Sequence, residues 1–128
     1  MSSIAEEMSA AAVEAMKLTR KYFVVELDFS AASLKTLDAL FDDVEFTMPG
    51  GKSDDNVDLL TRVWGSYLGE VIRRNLGGDW IDGHSDGQNA LQIQDEKIAP
   101  HCIVRGRLDS SAKASVFKTY EDLQRRTG

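Results

Sequence analysis

The chain has 128 residues, 42% of them hydrophobic and 28% charged, with a formal charge of −6. That length can bury a continuous core without disulfides or a structural metal, and the balance excludes general disorder. The acidic excess, with a pI near 4.8, also excludes a nucleic-acid backbone as the natural partner, because that role needs clustered Lys and Arg.

One domain covering residues 1–128 is the expected organisation, since no linker divides the chain and no repeat or low-complexity block appears. No apolar run approaches the roughly 20 residues of a membrane span. Met1 to Ala12 carries Glu6 and Glu7 but no early Lys or Arg, unlike a secretory signal. The single cysteine, Cys102, can form no intrachain disulfide, and the cytoplasm is the expected location.

In chain order, Ser2 or Ser3 can cap a first helix, with Glu6 and Glu7 well placed against its dipole. Ile4, Met8, Ala11, Ala12, Ala15, Thr19 and Tyr22 recur at steps of three and four, which predicts a helix to about Tyr22. Phe23 to Leu27 reads equally as a short strand or an extended connection. Asp28 or Ser30 caps a second helix with Leu34, Leu37, Leu40 and Phe41 on its apolar face, ending near Asp42-Asp43. Pro49-Gly50-Gly51 and Lys52 to Asp55 form the longest loop, and the expected place for mobility.

A third helix starts near Asp54 or Asp55 and runs to about Leu76. Leu60, Val63, Trp64, Tyr67, Leu68 and Val71, extended by Ile72 and Leu76, cover an arc wider than a surface helix needs, so this helix is central. Gly65 and Gly69 lie one turn apart, and each costs about 1 kcal/mol of helix propensity relative to Ala, which predicts close approach of another backbone. Gly77 and Gly78 then supply the left-handed residue that closes the helix.

Asp79 to Asp82 and Asn89 to Gln94 read as strands, joined in an antiparallel hairpin by the segment from Gly83 to Gly87. Asp95-Glu96-Lys97 reads as a turn before a third short strand at Ile98, and Pro100 can start a short helix over His101 to Arg107. Val116, Phe117, Tyr120 and Leu123 lie on one face of a terminal helix, capped by Ser110 or Ser111 and ending with Arg125 and Arg126. The fold class is therefore α+β, with helices around a central one and a small antiparallel sheet of two or three strands.

The chemical motifs are incomplete. Gly51-Lys52-Ser53 ends like a phosphate-binding loop, but Phe46 stands where its first glycine belongs, and Asp54 and Asp55 would repel phosphate. Asp82, His84, Asp86 and Gly87 open like a calcium loop, yet the third position is histidine and the twelfth is Ile93. One cysteine with His84 and His101 does not make a zinc pattern, and Cys102 reads as a small core residue rather than the nucleophile of a Cys-His pair. No cofactor and no metal are expected. Glu70, four residues before Arg74, reads as the anionic half of an ion pair within the helix, although a buried Glu70 could act as a general acid or base.

The extended segment Val25-Glu26-Leu27-Asp28-Phe29-Ser30, then Ser33-Leu34 with Leu37-Asp38, then Gly65 and Tyr67-Leu68-Gly69-Glu70, and finally Leu76-Gly77-Gly78 before Trp80, resembles a family of small bacterial α+β domains. The resemblance runs from about Lys17 to Tyr120, with Tyr67 to Trp80 as its specific core, and implies no catalytic residue. In size, acidity and lack of a catalytic constellation the chain is also similar to the immunity proteins that bacteria keep beside toxins. The leading expectation is non-catalytic binding of a basic protein, such as a cognate toxin, through Asp54, Asp55, Asp58, Asp82, His84 and Asp86. The alternative is a small-molecule-binding or hydrolytic domain with a pocket near Glu70, Trp80 and His84 or His101, and homodimerisation stays open as a third.

Overall fold

The computed structural model describes residues 3–81, 89–109 and 115–127. Helix α1 covers Ile4–Phe23, and the Ser3 hydroxyl accepts the Glu6 amide at its start. The stripe of small residues does what its spacing predicts: Met8, Ala11, Ala12, Ala15 and Thr19 are buried. Val24 ends the helix at φ 56°, and no strand follows before α2, so the stretch to Leu27 is the connection rather than a strand.

Helix α2, Ser33–Phe41, is entered through a relay of side chains. Asp28 accepts the Ser30 amide and hydroxyl, and the Ser30 hydroxyl in turn accepts the Ser33 amide. The N-cap itself is Ala32, which has no side-chain cap, so Asp28 and Ser30 order the turn that leads into the helix rather than capping it as expected. Immediately after Asp42-Asp43 comes α3, Val44–Thr47, a single turn that the apolar spacing does not reveal. The glycine loop behind it is anchored. Asn56 donates to the carbonyls of Pro49 and Gly51, and Glu45 accepts the Lys52 amide at 3.0 Å.

Helix α4, Asp54–Leu76, is the axis of the molecule, and every residue from Val63 to Ile72 is buried. Helix α1 packs along one side and α5, Pro100–Asp109, along another. Both glycines are contact points, with different neighbours. A Cβ on Gly65 would lie 2.8 Å from the His101 Cα, so there a backbone does approach. A Cβ on Gly69 would lie 2.1 Å from the Trp80 ring, so there the expected backbone is replaced by an indole. Helix α4 closes on Gly77 at φ 98° and ψ −172°, a region open only to glycine but not the left-handed helical one expected.

Strands β1 (Asp79–Ile81), β2 (Ala90–Ile93) and β3 (Glu96–Ile98) form an antiparallel sheet in that order. Trp80 faces Leu91, and Leu91 faces Ile98. The β1–β2 connection lies outside the described residues. The turn into β3 is Gln94-Asp95, with Gln94 at φ 52°, so Glu96 and Lys97 join the strand instead of preceding it.

The terminal helix α6 covers Val116–Thr127, and its cap corrects the expectation of Ser110 or Ser111, which lie outside the described residues. Ser115 and Asp38 do the capping. The Asp38 carboxylate accepts the amides of Val116 and Phe117 and the Ser115 hydroxyl, while Ser115 accepts the Lys118 amide. A carboxylate from α2 thereby satisfies the open end of α6 and meets the positive end of its dipole.

Two glycine substitutions should act in opposite directions. Gly69→Ala forces its methyl into the Trp80 indole and should cost about 1 to 3 kcal/mol. Gly106→Ala on α5, where a Cβ meets nothing within 4 Å, should gain up to about 1 kcal/mol. Urea unfolding midpoints of the two variants against the parent would show the split, and equal midpoints would refute the packing assigned to Gly69.

Candidate functional site

Glu70 has no exposed surface and sits where α4 meets β1. Its Oε2 accepts from Arg73 Nε at 2.7 Å and Trp80 Nε1 at 2.9 Å, and its Oε1 from Arg73 Nη2 at 3.0 Å and Arg74 Nε at 3.1 Å. Burial pushes its pKa up, but the hydrogen bonds from Arg73 and Trp80 and the Arg73 charge outweigh that and leave it below the ordinary glutamate value. A carboxylate with four donors on it has no lone pair aimed at a substrate and no proton to give at neutral pH. Its chemistry here is to fasten the Trp80 indole over Gly69.

Further toward the start of α4, a cleft of about 250 Å³ opens between α1, α4 and α5. Met8 forms its apolar wall, Asp58, Arg62 and Arg105 its mouth, and Thr61 and His101 its inner side, with Asn89 at the edge. The cleft exists because Gly65 lets the first turn of α5 settle against α4 and brings the His101 ring over Ser66. Ser66 has one proton. It lies 2.7 Å from the Arg62 carbonyl, which can only accept, so the proton goes there. Ser66 therefore accepts from His101 Nε2 at 3.0 Å, which places the ring proton on Nε2 and leaves a lone pair on Nδ1. Burial lowers the His101 pKa, against the pull of the neighbouring carbonyls of Asn89 and Arg62, and the ring is neutral at neutral pH. Two buried atoms beside the cleft, Thr61 Oγ1 and His101 Nδ1, have no hydrogen-bond partner among the described residues.

The acidic residues singled out from the sequence divide between places. Asp54 and Asp55 are exposed in the first turn of α4, where they suit its dipole. Asp58 lies one turn on, at the cleft mouth, bonded to Arg105 Nη1 at 2.8 Å. Asp82, His84 and Asp86 lie outside the described residues, so the calcium-loop fragment does too, apart from Ile93, which is buried in β2. Among the described residues no group of three His, Cys, Asp or Glu side chains converges as a metal site. Cys102 is exposed on α5, which corrects its reading as a core residue: at helical spacing His101, Val104 and Leu108 take the inner face and turn Cys102 outward.

The sequence reading missed Thr61, Arg62, Ser66 and Phe46. The first three belong to a helix whose apolar pattern dominates, and no spacing marks a helical hydroxyl as lining a cleft. Phe46 did carry a signal, an aromatic residue set among Asp42, Asp43 and Glu45. In α3 it is 89% exposed while Val44 of the same turn is fully buried.

No protein-family model, curated protein or solved structure matches the chain. No helix among the described residues is long and apolar enough to cross a membrane.

The buried neutral histidine predicts a pH dependence. Below its ordinary value of about 6.5 the unfolded chain takes up a proton that folded His101 does not, so its contribution is complete above that value and is lost as pH falls toward the lower folded pKa. Between about pH 7.5 and pH 5.5 the parent should lose more stability than His101→Gln, by up to about 1.4 kcal/mol per pH unit. Equal losses in chemical denaturation would mean that His101 titrates as it does in the unfolded chain.

Proposed function

We propose that the protein is a non-catalytic binding domain whose partner is a basic protein, engaged by the end of the molecule that carries α3 and the start of α4. The observation that carries this reading is Phe46, a large apolar side chain held 89% exposed in an anchored turn. Exposed carboxylates of Asp42, Asp43, Glu45, Asp54 and Asp55 surround it in sequence, and the Glu45–Lys52 hydrogen bond brings α3 against the start of α4. An aromatic anchor inside a charged rim is the anatomy of a protein-binding surface, in which the anchor holds and the rim steers. The non-catalytic part of the reading is supported by Glu70, whose oxygens are occupied by structural donors.

The narrower proposal is that the partner is a cognate bacterial toxin, neutralised in the cytoplasm. The chain's size and acidity support it.

The test is kinetic, with the product of a neighbouring gene co-expressed as the partner. Phe46→Ala should speed dissociation, at a cost of about 2 to 3 kcal/mol in affinity, because the anchor's buried area is lost. Reversing Asp54, Asp55 and Asp58 to lysine should slow association and weaken its salt dependence while the fold survives the loss of the favourable dipole interactions and of the Asp58–Arg105 pair. A partner whose binding ignores both sets of changes would remove this end of the molecule as the binding surface.

A further inference from the structure

Phe46 is one of three exposed large hydrophobic residues among the described residues, and the other two, Val13 and Val24, belong to α1 and its C-terminal end. Val13, Met16, Lys17 and Arg20 recur at helical spacing on one face of α1, and with Glu26 they line a groove of about 240 Å³. The connection after α1 completes it. Val24 turns the chain at φ 56° and ψ 44°, unusual for a β-branched residue, and beyond that turn Glu26 comes back to within 2.9 Å of Arg20.

Two cations, Lys17 and Arg20, stand in this groove against one carboxylate, Glu26. Arg20 is paired with Glu26, while Lys17 has no ion-pair partner among the described residues. The turn that carries Phe46 has the opposite sign. Asp42 is paired with Arg107, but Asp43 has no ion-pair partner among the described residues, and Glu45 bonds the backbone amide of Lys52 rather than a cation. Each surface thus sets an apolar side chain one helical turn from an uncompensated charge: Val13 near Lys17 in the groove, Phe46 near Asp43 on the turn. The groove also has room for a ring, since a cavity of roughly 150 Å³ holds benzene. At 89% exposure Phe46 is not seated on its own chain, so its ring is available to another copy.

We propose that the α1 groove receives Phe46 of a second copy of this chain, with Asp43 and Glu45 of the incoming turn set against Lys17. The inference rests on the reading of Phe46 as a protein anchor, and adds where that anchor goes when no other partner holds it. The contact is weak. A buried Phe contributes about 150 to 250 Å², against roughly 1,200 Å² for a stable interface, and the charge of −6 on each copy opposes approach. It therefore forms at high concentration and yields to a tighter partner. Because groove and anchor are different surfaces, the contact is heterologous.

Sedimentation velocity and nuclear magnetic resonance on the intact chain, from dilute to near-millimolar concentration, test this. The average mass should rise with concentration, with concentration-dependent amide shifts at Val13, Lys17 and Phe46 together. Phe46→Ala spoils the anchor, and Val13→Gln combined with Lys17→Glu spoils the groove. Each should weaken self-association at least about tenfold, and because all three positions are exposed the melting temperatures should stay near the parent's. Mixed together, the two variants should associate with each other, since the anchor of one meets the groove of the other. The proposal is overturned if the parent stays monomeric throughout, if Phe46→Ala self-associates as the parent does, or if the mixture fails to associate while both variants melt as the parent does. A basic partner should still bind the groove variant as it binds the parent. A partner that needs Phe46 when the parent never self-associates would overturn the groove contact and leave the protein-binding reading intact.

Discussion

The constraint on which the rest of the structure depends is the complete desolvation of the middle of α4. From Val63 to Ile72 no residue reaches solvent, so each polar group in that stretch needs a protein partner. Trp64 donates to Thr19 of α1. Ser66 donates to a carbonyl of its own helix and accepts from His101 of α5. Tyr67 takes the Phe29 amide and, because the Ser33 proton is already committed to the Ser30 carbonyl, gives its own to Ser33. Glu70 gathers Arg73, Arg74 and Trp80. Four polar side chains thereby tie α4 to α1, the α1–α2 connection, β1 and α5, and the apolar packing between them is given a fixed register.

The same constraint accounts for residues that break local rules. Phe29 holds φ 65°, unusual for an aromatic residue, and that backbone aims its amide at the Tyr67 hydroxyl while its ring stacks on Tyr67 and lies under Arg74 at 3.8 Å. Gly65 and Gly69 weaken α4 as an isolated helix, and in return His101 and Trp80 come close enough for Ser66 and Glu70 to bond them.

The two ends of α4 consequently differ in what they leave available. At the Glu70 end every carboxylate lone pair is used, and the result is a joint between helix and sheet. At the Thr61 end the hydrogen-bond chain runs from Ser66 to His101, whose Nδ1 has no partner among the described residues. A buried polar network that is closed rigidifies, whereas one left open carries the cost of its unpaired atom. Asp54 and Asp55, in the first turn of α4, lie about 10 Å from Thr61 along the helix axis.

Periodicity in the chain is enough to determine the α+β class, the approximate extent of α1, α2 and α4, the central place of α4 and a small antiparallel sheet, though not the bounds of its third strand. These are one-dimensional properties, because helical and strand spacing follow from local geometry. The start of α4 is legible for the same reason, since Ser53 and the aspartates after it act within one turn. The cap of α6 is not, because its amides are met by Asp38, nearly eighty residues upstream. Nor could spacing assign the neighbour of Gly69, the outward turn of Cys102, the exposure of Phe46 or the unpartnered face of His101. Each depends on which surfaces meet across long separations and on where the last hydrogen bond in a chain of partners falls, and those are properties of the packed molecule rather than of any segment of it.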